Sequence, residues 1–232
     1  ARLDALAAAG MNRASIGVQD FDEDIQKTIG RPQGFDVTRT AVEGIRARGV
    51  KSINAAILFG LQHQTDAKIT DTVQKLLSFS PDRVALYGYA HVPWMAKRQQ
   101  MIPSDALPTP EERLDLFDVA RRLFLWDGFR EIGIDHFALP TDGLAQAQSK
   151  GMLKRNFQGY TNDPADVLIG VGASAISRFP QGYAQNESAT GAHTGAIRDG
   201  RFSVHRGHAF TAEDRLRGRI IEALMCDFEV IP

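Results

Sequence analysis

What most constrains this chain is an alternation: four strand-like apolar segments, each separated from the next by helical sequence. The segments are RASIGVQDF from Arg13, KSINAAILFG from Lys51, DRVALYGYAH from Asp82 and FREIGIDHF from Phe129. Between them the apolar spacing predicts helices over about 37–48, 65–79 and 109–127, stopped at Gly49, at Ser80-Pro81 and at Gly128. Thr109 before Pro110 and Glu112 is a helix start: a capping hydroxyl, a proline in the first turn, and an acid at the third position. Strands begin roughly 30 to 45 residues apart, the spacing of a βα unit. Near-continuous apolar strands in that rhythm predict an α/β fold with a parallel sheet covered by helices. Chemistry in such sheets gathers at the carboxyl ends of the strands. Gln19-Asp20, the stretch 60–65, Tyr89 to His91, and Asp135-His136 fall there, and the expectation is that the four clusters converge on one mouth.

After residue 140 the rhythm changes. TDGLAQAQSKG predicts a short helix, RNFQGYT and IGVGASAIS a compact irregular-to-strand region, 182–208 loops, and the stretch from Thr211 a last helix with Thr-Ala-Glu-Asp as its cap and first turn. The first residues read as a helix already under way and the last helix runs into CDFEVIP. Both ends are therefore expected to be cut from a longer chain. The ARLDALAAAG start carries an Asp and is too weakly hydrophobic for a signal peptide.

Composition bounds the function. With 27 basic and 28 acidic side chains the net charge is −1, so no whole-chain field draws the protein to nucleic acid or an anionic membrane. No apolar run approaches the ~20 residues of a membrane helix. The single cysteine, Cys226, precludes an internal disulfide framework and suits a reducing compartment. A soluble cytoplasmic protein is expected. Cys226, closing an amphipathic helix, reads as a small core residue, and alone it cannot hold an iron–sulfur cluster.

Several constellations carry chemistry or its imitation. His91 and His136, with Asp20 and Asp135 near them, read equally as acid–base or substrate-binding groups and as partners of loop backbone. His193, His205 and His208 are widely spaced in a polar stretch, and a solvated loop is favoured over a metal site. Gly170-Val171-Gly172 lacks the third glycine of a dinucleotide fingerprint, since position 175 is Ala, so tight backbone packing is the better reading. Gln19 at a strand end, with Arg31 shortly after, can grip the carboxylate and ribose of an amino-acid nucleoside; taken locally, a surface arginine is the simpler account.

In order along nearly the whole chain, GVQDF from Gly17, Arg31, ILFGLQHQT from Ile57, YAHVP from Tyr89, DHFALPTDGLAQA from Asp135, RNFQGYT from Arg155, GASAIS from Gly172 and YAQN from Tyr183 resemble the oxygen-independent coproporphyrinogen III oxidase family of radical S-adenosylmethionine enzymes. GVQDF and the GL-x-x-QT block also occur in related haem chaperones; DHF-A-x-P, NFQGYT and YAQN do not. The resemblance implies a partial parallel, TIM-like β/α barrel, of which this chain holds the later strands (1–185), followed by a loop and the start of a C-terminal helical region (186–232). It implies decarboxylation of two propionates of coproporphyrinogen III to vinyl groups, by a deoxyadenosyl radical raised from S-adenosylmethionine with an electron from a 4Fe-4S cluster. The electron donor and acceptor are not named by it, and a monomer is expected.

Residue by residue, the resemblance makes Gln19, Arg31 and Ala90 contacts to a second adenosylmethionine and Ile176 a contact to the first. Phe157 and Gln158 match the active-site region. Two departures stand out. The family has Asp at the position of Ala56, where it contacts the second adenosylmethionine, and Pro at that of Gln62. The family's Cys-x3-Cys-x2-Cys motif has no counterpart in this sequence, so no metal ligand is expected within it, and the chain alone is expected to bind no cluster and to be inactive. A haem chaperone of the same superfamily, or a degenerate non-catalytic remnant, is the alternative.

Overall fold

The structure, a computed structural model, describes residues 2–95, 97–157 and 159–230. The chain divides into two compact units, Ala1–Gly151 and Met152–Pro232. The first unit runs α1 (Arg2–Ala8), β1 (Arg13–Gln19), α2 (Glu23–Thr28), α3 (Phe35–Arg46), β2 (Ser52–Phe59), α4 (Asp66–Leu77), β3 (Arg83–Gly88), α5 (Pro110–Trp126), β4 (Arg130–Ile132), β5 (His136–Ala138) and α6 (Gly143–Ser149). Its five strands form one sheet in the order β1-β2-β3-β5-β4. β1, β2 and β3 are parallel, as their apolar runs and intervening helices require.

The helices begin where their caps place them. Thr109 Oγ1 accepts from Glu112 N at 3.2 Å while Glu112 Oε2 accepts from Thr109 N at 2.8 Å, closing the capping box of α5. Thr65 caps α4 in the same sense, its hydroxyl accepting from Lys68 N. The helical apolar stripes meet one face of the sheet. Ile69, Val73 and Leu76 of α4 and Leu116, Ala120 and Phe124 of α5 pack on Val18, Ala55, Ile57, Val84 and Leu86. Burying such side chains contributes about 1.5–3 kcal/mol each, and this layer is what holds the strands level. The opposite face of β1, β2 and β3 carries small and polar residues instead: Ser15, Gly17, Asn54, Ala56 and Ala85.

FREIGIDHF is two strands rather than one. Gly133 takes a left-handed φ of 58°, the chain turns over Gly133 to Asp135, and β5 returns antiparallel to both β4 and β3. Apolar alternation continues through the turn, so the periodicity hides it; only a residue without Cβ makes the reversal easy.

The second unit contains β6 (Lys154–Asn156), β7 (Gly159–Thr161), β8 (Ile176–Phe179), β9 (Gly182–Asn186), α7 (Thr190–Arg198), β10 (Val204–Ala209) and α8 (Ala212–Asp227). β6 and β7 form a hairpin, and β8, β9 and β10 an antiparallel sheet in the order β10-β9-β8. The expected loops over 182–208 are thus largely ordered elements. Their Gly, Ser, Thr and Asn content reflects tight approaches: a Cβ on Gly182 would sit 2.0 Å from His208 O across the β9–β10 pair. The expected division at 185/186 falls within β9, between its two sheet neighbours.

Candidate functional site

The carboxyl edge of the first unit's sheet is built around a buried carboxylate. Asp20, just past β1, is 0% exposed. Its Oδ1 accepts from Asp22 N at 2.8 Å and from Thr72 Oγ1 at 2.9 Å, and its Oδ2 from Gln64 Nε2 at 2.8 Å. Gln64 is saturated in turn: Nε2 also donates to Leu58 O, and Oε1 accepts from Gly60 N and Leu61 N. Phe21 N donates to Thr72 Oγ1, and Gln26 Nε2 to Asp20 O. One carboxylate therefore ties the ends of β1 and β2 to α4. Burial raises its pKa, and the bonds from Asp22 N, Gln64 and Thr72 oppose that rise. Asp20 is a scaffold of the edge, and no open reactive group.

The network fixes an unusual backbone immediately before it. Gln19 sits at φ 70°, and the β1–β2 register shifts between Gly17 and Gln19. A non-glycine residue in that region is strained and is held only by its surroundings. The bulge frees Gly17 O, which accepts from Arg31 Nη2 at 3.0 Å and from Gln33 Nε2 at 3.2 Å. Gln19, Arg31 and Gly17 are thus brought together, as the sequence suggested for the first two. A Cβ on Gly17 would meet Gln19 Nε2 at 2.7 Å and Arg31 Nη2 at 3.1 Å, so the glycine keeps a space that any side chain would fill.

Across the sheet Gly17 pairs with Ala56 and Ala56 with Ala85, giving a row of minimal side chains in which Gly17 and Ala56 are half-buried and Ala85 is fully buried. Beside it Asn54 donates through Nδ2 to Ser15 Oγ at 2.9 Å, while its Oδ1 is buried without a partner. The trough over Gly17 and Ala56 has the Gln19 amide and the exposed Arg31 guanidinium beside it, donors suited to a polar or anionic ligand. Ala90 lies exposed past β3, with its carbonyl accepting from Gln99 Nε2 at 3.1 Å.

The histidines differ in what holds them. His91 stands against Tyr89 OH at 3.4 Å and Ser104 Oγ at 3.1 Å, side-chain rather than backbone partners. His136 is buried, its Nδ1 2.6 Å from Asp135 Oδ1 and its ring edge-on to Tyr87. It pairs with Ala85 in mid-strand, so Asp135-His136 lies below the level of Tyr89 to His91. Three of the four expected clusters reach the carboxyl edge, and the fourth does not, because β5 is antiparallel.

One group escaped the sequence reading. The guanidinium of Arg113, on α5, lies 5.8 Å from the Phe59 ring centroid at the ends of β2 and β3. A Cβ on Gly60 or Gly88 would come within 3.0 or 3.1 Å of it. The available signal was a pair of strand-end glycines with a basic residue in the first turn of the following helix.

In the second unit Phe157 is 41% exposed and meets Tyr183 edge-on at 5.9 Å, with Tyr183 edge-on to Phe210. Gln158 lies outside the described residues. Ile176 opens β8, and its backbone would stand 2.7–2.9 Å from a Cβ on Gly170. Asn186 Nδ2 donates to Gly172 O at 2.9 Å and Ser177 Oγ accepts from Gly170 N at 3.0 Å. Gly170-Val171-Gly172 is thus a packed turn stitched by GASAIS and YAQN, not a phosphate cradle. His193, His205 and His208 pair with Ser203, Glu187 and Asp214 respectively.

The residues present do not suit an iron–sulfur cluster. Among the described residues no group of three His, Cys, Asp or Glu could hold a metal ion. Cys226 is buried, and burial, then the charges of Glu222 and Asp227, push its thiol up to about 11, far from the thiolate such a cluster needs. Among the described residues no helix is long and apolar enough to cross a membrane.

Residues 1–76 match the Radical SAM superfamily model, and they form the α/β part of the chain whose strands β1 and β2 are parallel. The chain is 71% identical over 99% of its length to an oxygen-independent coproporphyrinogen III oxidase of Paracoccus denitrificans, and 60% identical over 99% to one of Cereibacter sphaeroides. It superposes on the solved coproporphyrinogen III oxidase of Escherichia coli, described as a radical SAM enzyme, with a TM-score of 0.86 at 36% identity, covering 98% of this chain and 52% of that one. It spans about half the length of the curated relatives it matches, 51% of each of those two. Over that half, the similarity to oxygen-independent coproporphyrinogen III oxidases runs through 98–99% of this chain.

Proposed function

We propose that the protein to which these residues belong decarboxylates coproporphyrinogen III oxidatively, without oxygen, to protoporphyrinogen IX. The observation that carries this reading is the 71% identity that runs through 99% of the chain. The geometry supports it at the strand ends. Gln19, held at φ 70° by the Asp20 network, presents an amide beside Arg31 over Gly17; Ala56 adds only a methyl next to it; Ala90 lies exposed past β3. These residues would hold an adenosylmethionine, Arg31 and Gln19 gripping its polar groups. Ile176 would touch a first adenosylmethionine, and Phe157, with Gln158, would pack beside substrate or cofactor. In such enzymes the bound group supplies the radical that takes a hydrogen from a propionate. The chain's part is orientation and the exclusion of water. The 4Fe-4S cluster of the family finds no ligands among the residues described, and no step is assigned to it. A monomer in the cytoplasm is part of the same proposal, the compartment being supported by the single buried cysteine, which needs no oxidising environment.

The test is titration calorimetry of the chain with adenosylmethionine. Binding is expected, weakened on the order of tenfold or more by Arg31→Ala and by Gly17→Leu, each of which alters the trough without touching the core. No binding at millimolar ligand, or equal binding by both variants, would refute the assignment of the trough. For the reaction itself, the chain replaces the matching half of the Escherichia coli relative, and vinyl products are measured under anaerobic conditions. A folded, cofactor-loaded chimaera that forms none would count against the activity.

A further inference from the structure

The second unit contains a cavity of about 290 Å³ that none of the residues discussed above as cofactor contacts lines. Lys154, Arg155 and Arg178 reach it from β6 and β8, and Asp163, Asp166 and Glu222 from the facing loop and α8. Opposite charges in one enclosure ordinarily pair. Here, among the described residues, none of the three cations is within the 4.0 Å of an ion pair.

Five of the six groups show why, and Asp166 makes no hydrogen bond or ion pair among the described residues. Arg155 lies over the Tyr160 ring, 5.0 Å from its centroid, directly across the β6–β7 pair, and its Nη1 is buried with no acceptor. Glu222 Oε1 accepts from the backbone N of Arg155, so it serves the strand and leaves the guanidinium unserved. Asp163 Oδ1 accepts from Ala165 N, turning the loop. Lys154 Nζ makes only a 3.4 Å contact to Pro164 O. Arg178 is held through its backbone to Leu168 on both sides, which fixes its position while its side chain finds no partner among the described residues. A buried guanidinium nitrogen without an acceptor is costly, and planar bidentate oxyanions are what guanidinium groups recognise best.

We propose that this cavity is an oxyanion site, in which Arg178 and Arg155, with Lys154 at the mouth, bind a carboxylate or phosphate group. The volume exceeds that of a bare carboxylate and accommodates a short acid-bearing arm. Two sources share that chemistry: free inorganic phosphate, and a propionate arm of a tetrapyrrole, the second resting on the function proposed above. The site itself does not depend on that function.

The experiment follows backbone amide resonances of the isotopically labelled chain at 154–156, 163, 165–168 and 178. It is titrated separately with inorganic phosphate, with coproporphyrin III as the stable oxidised analogue, and with the esterified porphyrin lacking free carboxylates. Phosphate or the free acid, but not the ester, is expected to shift these resonances. Arg178→Gln should weaken that binding on the order of tenfold, and Arg178→Lys should restore most of it. Lys154→Gln, on an exposed side chain, gives a second reading if Arg178→Gln does not fold. Phosphate binding without porphyrin binding supports the oxyanion site and counts against its use for a tetrapyrrole. Binding of the acid but not the ester, lost in the variants, supports the propionate arm. Resonances that none of the ligands moves, or variants that bind as the parent does, overturn the proposal.

Discussion

Replacing Asp20 tests whether one buried carboxylate organises the carboxyl edge. In Asp20→Ala three donors lose their acceptor: Asp22 N, Thr72 Oγ1 and Gln64 Nε2. Gln64 keeps one partner in Leu58 O, and Asp22 N is only part-buried, so the penalty is less than three full desolvation costs. At ~1–3 kcal/mol for each unsatisfied buried donor, and with relief of the buried charge set against it, a loss of about 3–5 kcal/mol is expected. Asp20→Asn is the sharper variant. Its oxygen can still accept from Asp22 N and Thr72 Oγ1, but its NH2 then faces the NH2 of Gln64. Gln64 cannot flip, because Gly60 N and Leu61 N both need its oxygen. Two amide NH2 groups left facing each other in a buried site put the cost at about 1–3 kcal/mol.

The pH dependence checks the same reasoning. Burial raises the pKa of Asp20 above its ordinary 3.8, so between the unfolded and folded values the folded state holds the extra proton. The contribution of this group is fully present below the unfolded value and is lost as pH rises through the folded one. The Asn variant lacks that titration. Its deficit should therefore be largest below pH 3.8 and shrink towards neutrality. Urea unfolding followed by far-UV circular dichroism at several pH values measures it, with hydrogen exchange at Phe21 and Leu61 reporting the edge locally. An Asn variant as stable as the parent at every pH, or a deficit that grows with pH, would show that the carboxylate is stabilised by its donors more than burial penalises it.

Other expectations follow from particular contacts. Asp142→Ala should cost about 3–5 kcal/mol in urea unfolding, because Arg83 Nε lies 2.7 and 2.8 Å from both carboxylate oxygens in a buried pair, and Asp142 also caps α6; a loss under 1 kcal/mol would contradict it. Ala56→Asp sets a carboxylate opposite Gly17, whose carbonyl Arg31 contacts, and should tighten adenosylmethionine binding on the order of tenfold by calorimetry; unchanged affinity would mean that the trough does not take this ligand by its charged groups. Cys226 should resist iodoacetamide at pH 7 in the folded chain and react at an ordinary rate once unfolded, since its thiol titrates at about 11 and is buried; equal rates would place it at the surface.

Much of the first unit was legible in the sequence. The helix starts at Thr65 and Thr109 and the stop at Gly128 are local events, decided by residues within one turn of each other. The strands 13–19, 52–59 and 83–88 follow from apolar runs of the right length between those helices. Gln19 and Arg31 could be paired as candidates because only the short helix α2 separates them along the chain. Gly133 and Gly182 could not be interpreted the same way. One reverses a strand and the other admits a neighbouring backbone, and both needs arise from a partner elsewhere in the chain.

The sequence by itself determined the alternation of strands and helices, the caps that bound them, and the residue types available at each strand end. Those properties are short-range: periodicity and capping act over a few residues. Only the tertiary structure decided that Asp20 answers to Gln64 and Thr72, 44 and 52 residues away, and that β5 runs against β3. It alone placed Arg113 against Gly60 and Gly88, and left Arg155 with a buried nitrogen unpaired. Such contacts depend on which surfaces meet once the apolar layer between sheet and helices has closed, and no local pattern encodes that choice.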